Sequence, residues 1–392
     1  MTGSVVTFSN RLPPDTAPNA LTHAVEAMRA AGSAFGDLTE SNPTTAGFDY
    51  PADLLAPLAD ARALRYEPHP LGLRTAREAV AGEFARRGAA VDPAHIVLSA
   101  SSSETYSWLF KLLCSPGDGV LVPRPSYPLF EHLTRLEGVR TTSYELEYHG
   151  RWQTDFDAIE SAPSNTRALL IVSPNNPTGT YVSRADLDRL LQYCSSRNWA
   201  LIADEVFVDY PLETTAPVTD VATHAGVLAF TLGGASKSLG LPQVKLGWTL
   251  VGGPPARRDA ALAALELIAD SYLSVSTPVQ VAAPVLLERG AAVRGRIQER
   301  IRRNLARART VVAAHPSCEV LPVEGGWTAV VRLPATRDEE TVALELLQRH
   351  RVLVHPGYYY DLPKGTYVVV SLLPREEVFA AGFERLVAAA DS

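Results

Sequence analysis

Short apolar runs rich in β-branched residues alternate with helical patterns through the middle of this 392-residue chain. The runs Ile96 to Ala100, Gly119 to Pro123 and Ala168 to Ser173 each precede a segment with helical spacing. Two more apolar runs follow, Ala200 to Asp204 and Val227 to Leu232. Alternation of strand and helix predicts an α/β fold with a mostly parallel sheet covered by helices on both faces.

The two ends of the chain differ from the middle. A long helical stretch, one helix or two, runs from about 278 to 315, and apolar runs typical of a smaller α+β unit follow it. Prolines and a glycine between residues 43 and 57 mark a crossing between the two parts. We therefore expect a large domain over residues 45–280 and a small domain built from residues 1–44 and 281–392.

Charge and cysteine content argue against several classes of protein. The formal net charge is −7, whereas nucleic-acid-binding proteins usually carry a basic face. The stretch from Arg294 to Arg309 is Arg-rich but interleaved with apolar residues, so we interpret it as the solvated face of a helix. Cys114, Cys194 and Cys318 form neither a disulfide framework nor a zinc-binding CxxC pair. Without a signal segment or an 18-residue apolar run, we expect a cytoplasmic protein with no metal, membrane or nucleic-acid partner.

Four motifs next to predicted strands carry candidate chemistry. Lys237 follows an apolar strand, where burial lowers a lysine pKa and makes the amine nucleophilic, although a single lysine there is more often solvated. Asp204 ends another strand, where a carboxylate either caps a helix or faces a cation. Asn176 lies in the turn-forming segment SPNNPTG, and the segment Ser99 to Thr105 either caps a helix or binds phosphate.

In this order and spacing the motifs resemble the pyridoxal-5'-phosphate (PLP) aminotransferases of fold type I, the aspartate aminotransferase family of class I and II. The resemblance extends from Leu38 to the last helix. It implies a PLP cofactor, a homodimer, a Schiff base at Lys237 and an ion pair between Asp204 and the pyridine nitrogen. It further implies cofactor contacts by Asn176 to the phenolic oxygen, Tyr127 to the ring face, Ser102 and Ser103 to the phosphate, and Tyr66 to the phosphate of the other subunit.

Three positions around the cofactor depart from the family pattern. Phe207 stands where the family usually has tyrosine, and Gly234 stands where it has serine, with Ser236 nearby instead. Lys245 stands where the family has arginine, which gives a point charge in place of a bidentate fork. We expect these changes to retune the cofactor without abolishing its binding. We also expect a cis peptide bond between Asn176 and Pro177, which the family often has.

A fourth departure concerns the substrate. Val369 stands where many members carry the arginine that grips the α-carboxylate of the substrate. An unpaired carboxylate in a partly dry site is costly. Replacement donors are therefore expected among the backbone N–H groups near Ser41 and Asn42, or on the hydroxyls of Tyr358 to Tyr360, unless the substrate presents no carboxylate there.

The resemblance implies an aminotransferase that acts on an amino acid or amine, with a small-molecule amino donor and acceptor. Another PLP reaction on the same fold stays open: a β- or γ-lyase, an amino-acid oxidase, or a cyclising enzyme of natural-product biosynthesis. A non-catalytic PLP-sensing regulator of the MocR type is disfavoured, because the resemblance begins within the first few dozen residues and leaves no room for a preceding winged helix-turn-helix.

Overall fold

The computed structural model describes residues 8–13, 17–213, 217–224, 226–335 and 337–391, so that parts of the predicted N-terminal contribution to the small domain lie outside the described residues. The α-helices are α1 (Ala20–Ala30), α2 (Arg74–Arg86), α3 (Ser102–Leu113), α4 (Leu129–Leu136), α5 (Asp157–Glu160), α6 (Arg184–Arg197), α7 (Ala235–Ser238), α8 (Pro255–Asp270), α9 (Thr277–Val312), α10 (Glu339–Gln348) and α11 (Glu376–Ala390). The strands are β1 (Gly36–Asp37), β2 (Ile96–Ser99), β3 (Gly119–Arg124), β4 (Arg140–Tyr148), β5 (Trp152–Thr154), β6 (Thr166–Val172), β7 (Ala200–Asp204), β8 (Ala229–Gly234), β9 (Gly247–Gly252), β10 (Glu319–Val320), β11 (Thr328–Leu333), β12 (Val352–Leu353), β13 (His355–Pro356) and β14 (Thr366–Ser371). Across these ranges no helix combines the length and the apolar character that crossing a lipid bilayer requires.

An eight-stranded sheet forms the centre of the fold, in the order β2-β9-β8-β7-β6-β3-β4-β5. The strands β8, β7, β6, β3 and β4 run parallel to one another. Antiparallel pairs occur only towards its two edges among the described strands, where β9 pairs with β8 and β2, and β5 pairs with β4. The predicted α/β class with a mostly parallel central sheet is confirmed.

Alternate residues of the central strands pack into two separate cores. Leu169 and Ile171 of β6 belong to one apolar cluster, whereas Ala168 and Leu170 belong to another. Successive side chains of a strand point to opposite faces of the sheet. The sheet is therefore buried on both faces, as the near-continuous apolar runs of its strands require.

A second, smaller sheet lies apart from the central one. It has four antiparallel strands in the order β10-β11-β14-β13, and β1 pairs in parallel with β12 beside it. The pairing of β1 with β12 joins the N-terminal part of the chain to its C-terminal part, in keeping with an α+β unit made from both ends. The boundaries at residues 45 and 280 stay a prediction.

The long helical stretch is a single helix, α9, and one of its arginines lies in the interior. Our interpretation of the Arg-rich stretch as a solvated face is wrong at Arg294, which is 7% exposed. Its Nε donates to the carbonyl oxygen of Ser238 at 2.8 Å, and its Nη2 donates to the Glu83 carboxylate at 2.6 Å. Arg294 precedes the buried Ile297 and Ile301 by three and seven residues, so helical periodicity places it on the buried face.

The three cysteines are free thiols inside the fold. Cys194 and Cys318 are buried and Cys114 is half-buried. Burial raises the pKa of the Cys194 thiol to about 12 and that of the Cys114 thiol to about 11. Thiols with such pKa values are protonated at neutral pH, so these side chains act as small apolar residues, as expected.

Candidate active site

A cavity of about 400 Å³ opens at the carboxyl ends of the parallel strands, and the small sheet forms its opposite wall. Many of the residues singled out from the sequence line it. They are Ser41, Ser102, Ser103, Tyr127, Asn176, Asp204, Phe207, Ser236, Lys237, Lys245, Tyr360 and Val369. The edge of an open α/β sheet where its strands end is the usual position of a ligand site in such folds.

Lys237 enters this cavity from α7, the four-residue helix that follows β8. Its Nζ lies 5.4 Å from the centroid of the Phe207 ring and 5.1 Å from that of Trp327. Burial lowers the pKa of Lys237, and the negative charge of Asp204 opposes that shift. A lowered pKa increases the fraction of neutral amine, which is the form that attacks a carbonyl carbon.

Two buried side chains hold the backbone of α7. Tyr210 donates its hydroxyl to the carbonyl oxygen of Lys237 at 2.6 Å. Arg294 donates to the carbonyl oxygen of Ser238, the last residue of the helix. The last carbonyls of a helix lack intrahelical partners and carry its negative dipole end, so a hydroxyl and a guanidinium satisfy them well. The lysine therefore stands on a backbone fixed from two directions.

Asp204 ends β7 and is 8% exposed. Its Oδ2 accepts the hydroxyl of Tyr106 at 2.7 Å, and its Oδ1 accepts the backbone N–H of Val206 at 3.1 Å. Burial raises the pKa of Asp204, while these two hydrogen bonds and the charge of Lys237 lower it. We missed Tyr106 in the sequence, although it follows Ser103 by three residues and Ser102 by four and so shares their face of α3.

The N-terminus of α3 forms the anion-binding end of the cavity. Ser101 is the N-cap residue, and its hydroxyl accepts the N–H of Glu104 at 3.2 Å. Ser102 and Ser103 begin the helix and line the cavity together with Lys245. Backbone N–H groups at a helix N-terminus, the helix dipole and a nearby ammonium group all favour an anion such as phosphate. Ser101 therefore caps the helix, and the hydroxyls of Ser102 and Ser103 are not used for capping.

The turn after β6 brings Asn176 to the cavity beside the small sheet. Thr328 donates its hydroxyl to the carbonyl oxygen of Pro177 at 3.1 Å, with the Asn176 Oδ1 atom 3.4 Å away. The Asn176–Pro177 peptide bond is cis, as expected. Beyond this turn Trp327 packs edge-on against Phe207, with 5.3 Å between ring centroids. Nothing in the sequence around Trp327 marked it as a site residue.

The wall formed by the small sheet places an imidazole beside Val369. His355 of β13 lies directly opposite Val369 of β14, and both line the cavity. The Nδ1 atom of His355 lies 2.9 Å from the hydroxyl of Tyr360. Burial lowers the pKa of His355, and the carboxylate of Asp37 opposes the shift. No arginine lines the cavity in the part of the chain that the structure describes.

Four residues named from the sequence do not line the cavity of their own chain: Asn42, Tyr66, Tyr358 and Tyr359. The side chain of Asn42 is exposed and accepts the N–H and hydroxyl of Thr44. Tyr66 is 70% exposed and borders a separate cleft near Leu273. The role of Asn42 in substrate binding and the role of Tyr66 at the partner subunit's phosphate stay predictions.

Comparisons with known proteins agree with this architecture. The family model described as aminotransferase class I and II matches residues 41–378. Alanine aminotransferase of Mycobacterium tuberculosis is 27% identical over 375 residues, which cover 92% of this chain and 86% of that protein. Glutamate-pyruvate aminotransferase AlaA of Escherichia coli is 27% identical over 357 residues, which cover 86% of each chain. The solved structure of alanine aminotransferase from Pyrococcus furiosus has a TM-score of 0.87 at 21% identity, covering 98% of this chain and 100% of its own. This chain therefore belongs to the aminotransferase class I and II family and is an aminotransferase of fold type I.

Proposed function

We propose that this aminotransferase holds PLP at Lys237 and moves an amino group from an amino acid or amine to a small-molecule acceptor. The observation that carries the proposal is the meeting of Lys237 and Asp204 in one cavity. A buried amine with a lowered pKa and a buried carboxylate at a strand end are both costly to maintain. A ligand that pairs with each of them explains why both are there.

The side chains around the cavity fit PLP group by group. The amine of Lys237 suits the aldehyde, the carboxylate of Asp204 suits a protonated pyridine nitrogen, and the amide of Asn176 suits the phenolic oxygen. The N-terminus of α3 and the ammonium group of Lys245 suit the phosphate. The remaining cofactor contacts that we propose are Ser102, Ser103, Tyr127, Phe207 and Ser236, with Tyr66 from the partner subunit.

Each residue then has a definite task. When bound, PLP supplies an electron sink for negative charge at the α-carbon of the amino donor. Asp204 would face the ring nitrogen and favour its protonated form, and Tyr106 holds the Asp204 carboxylate in place. Lys237, with its amine free, would take the α-proton of the amino donor on Nζ and would hold it for return. Phe207 and Trp327 flank Nζ and exclude water from this transfer.

Borohydride reduction of the PLP-loaded protein tests the assignment of Lys237. The chain has four lysines, Lys111, Lys237, Lys245 and Lys364, so peptide mapping distinguishes them easily. We expect the label on Lys237 alone and no covalent label in Lys237→Ala. The matched control, Lys245→Ala, should keep the label and bind PLP more weakly. A label on any other lysine of the wild-type protein would refute the proposal.

The products separate aminotransfer from the other reactions of the fold. Single-turnover mixing with an amino donor should convert the cofactor to its pyridoxamine form and release one oxo product. Release of pyruvate with ammonia would instead indicate a lyase, and oxygen consumption would indicate an oxidase. The spectral conversion is thus the measurement that fixes the reaction.

We further propose that the enzyme is a cytoplasmic homodimer. Three unpaired thiols support a reducing compartment. Two neighbouring apolar side chains, Leu64 and Tyr66, are 90% and 70% exposed in the single chain. Large apolar side chains so exposed are typical of a protein–protein contact.

A further inference from the structure

The small sheet forms one wall of the cavity that Lys237 enters, so its side chains determine which groups of a bound substrate find a partner there. Residues directly opposite each other on antiparallel strands project to the same face of the sheet. His355 is opposite Val369, and Thr328 is opposite Ser371, and all four line the cavity. The polar groups of this wall are therefore two hydroxyls and one imidazole, together with the hydroxyl of Tyr360 that contacts the imidazole.

The two hydroxyls of the sheet face already donate to the protein. Ser371 donates to the carbonyl oxygen of Glu40 at 2.6 Å. Thr328 donates to the carbonyl oxygen of Pro177 at 3.1 Å. A hydroxyl has one proton to donate, so neither is left as a donor for a ligand. The donor that this wall offers must come from the imidazole and the phenol.

Either tautomer of His355 leaves one donor of the pair unused. If Tyr360 donates to Nδ1, the proton of the neutral ring is on Nε2 and is available. If Nδ1 donates to the phenol oxygen, the phenol proton is available instead. Burial lowers the pKa of His355 and so favours the neutral ring, although the charge of Asp37 opposes the shift. A carboxylate bound beside the imidazole would favour its protonated form, in which both ring nitrogens are donors.

We propose that His355 and Tyr360 bind the carboxylate of the amino donor, and that this pair makes the enzyme an amino-acid rather than an amine aminotransferase. The inference rests on the proposed function, since it takes the amino donor to react at Lys237. Val369 beside the pair carries no charge, and no arginine among the described residues lines the cavity. A carboxylate at this wall would otherwise be left desolvated and unpaired.

Two substitutions and a control in the PLP-loaded enzyme test the pair. Tyr360→Phe removes only the hydroxyl, and His355→Phe removes both ring nitrogens. Tyr359→Phe is the matched control, because the Tyr359 hydroxyl bonds to the Asn19 side chain at 2.6 Å instead of the pair. The probes are propionate and 3-phenylpropionate, which have a carboxylate but no amine, with binding measured by isothermal titration calorimetry.

We expect the dissociation constant of both acids to rise about tenfold or more in Tyr360→Phe and His355→Phe, because each variant loses a hydrogen bond to a charged group. The dissociation constants should stay unchanged in Tyr359→Phe. In steady-state assays the same two variants should raise KM for phenylalanine and alanine by about tenfold with kcat changed far less. The matched amines, phenethylamine and ethylamine, should react equally in all forms, and far more slowly than the amino acids in wild type.

Two results would overturn the inference: unchanged acid binding in Tyr360→Phe, or a wild-type enzyme that prefers the amines. Circular dichroism and thermal melting identify a variant that fails to fold. If His355→Phe fails to fold, the comparison of Tyr360→Phe with Tyr359→Phe is sufficient to test the inference. Acid binding is measured without turnover, so it tests the pair even if no amino donor reacts. Failure of the proposed function appears separately, as a missing borohydride label on Lys237.

Discussion

At the scale of single residues, the carboxyl group of Asp204 has a pKa raised by burial and opposed by three neighbouring groups. Burial favours the protonated acid, and the opposing interactions come from Tyr106, from the N–H of Val206 and from Lys237. The Tyr106 hydroxyl is the contact that a substitution can remove with little change of shape. The ionised form matters because only a carboxylate pairs with a protonated pyridine nitrogen.

Tyr106→Phe should therefore shift the pH profile of the enzyme. Loss of the hydroxyl removes an interaction that lowers the Asp204 pKa, so the pKa rises and the acid limb of kcat/KM moves to higher pH. We expect a stability loss of about 1–3 kcal/mol from the unpaired oxygen. Tyr144→Phe is the control, because the buried Tyr144 donates to the carbonyl oxygen of Leu170 at 2.9 Å. Tyr144→Phe should cost similar stability without moving the limb, and equal pH profiles would contradict the assignment.

Phe207 should leave the phenolic oxygen of the cofactor with fewer donors than a tyrosine would provide. Phe207→Tyr adds a donor that stabilises the deprotonated form of the bound cofactor. We expect the pH midpoint of the visible absorbance of the PLP-loaded protein to fall by about one unit, as for one added hydrogen bond to a charged oxygen. A spectrophotometric pH titration measures it. An unchanged or higher midpoint in the tyrosine variant would show that the added hydroxyl does not reach the cofactor.

The residues that the sequence identified differ in kind from those it did not. Asp204 ends an apolar strand and Lys237 follows another by three residues, and such positions can be located from local pattern alone. Tyr106, Trp327 and His355 reach the same cavity from the side of a helix and from another sheet. Their contribution depends on how distant segments pack, and packing of that kind leaves no local signal in one sequence.

At the scale of elements, α9 supports the lysine-bearing helix α7 through close packing. Gly290 of α9 lies against Leu239, which follows α7: a Cβ atom at Gly290 would come within 2.9 Å of the Leu239 side chain. Arg294, one turn further along, bonds to Ser238 of α7. The helical pattern of α9 was evident in the sequence. Which of its faces is buried was not evident, because the buried face includes Arg294.

Two alanine substitutions in α9 should have opposite effects. Gly290→Ala forces Leu239 to move and should lower the free energy of unfolding by about 1–3 kcal/mol. Gly295→Ala meets nothing within 4 Å and should raise it by about 0.5–1 kcal/mol through helix propensity. Urea denaturation measures both, and PLP titration should show weaker binding in Gly290→Ala alone. Stabilisation by both substitutions would mean that α9 does not pack closely on the segment after α7.

At the scale of the whole molecule, the sequence predicted the central sheet in more detail than the small sheet. Alternating strand and helix patterns identified the parallel sheet, because most of its inner strands are short, apolar and locally bounded. The longer, mostly polar β4 was not predicted, since its side chains are largely exposed or half-buried. The small sheet was recognised only as an α+β unit. Its strand order joins residues from both ends of the chain, and such long-range pairings are not evident from local periodicity.

Subunit mixing tests the proposed dimer together with the role of Tyr66. Sedimentation velocity should give twice the chain mass of 42.3 kDa. A hybrid of one Lys237→Ala chain and one Tyr66→Phe chain should contain one intact site, because each site combines Lys237 of one chain with Tyr66 of the other. We expect one tightly bound PLP per hybrid. Neither variant homodimer should bind PLP tightly. If Tyr66 served its own chain, every site of the hybrid would be defective and tight binding would be absent.

The strand order also bears on how the protein is made. β2 is the first strand of the central sheet to leave the ribosome, yet its partner is β9, with Ser99 opposite Gly247. At about 5–20 residues per second, translation reaches β9 roughly 7–30 s after β2. During that interval the apolar β2 has no neighbour in the sheet, while β3 and β4 can already pair. The nascent chain therefore exposes an unpaired apolar strand for several seconds, and such strands are prone to aggregate.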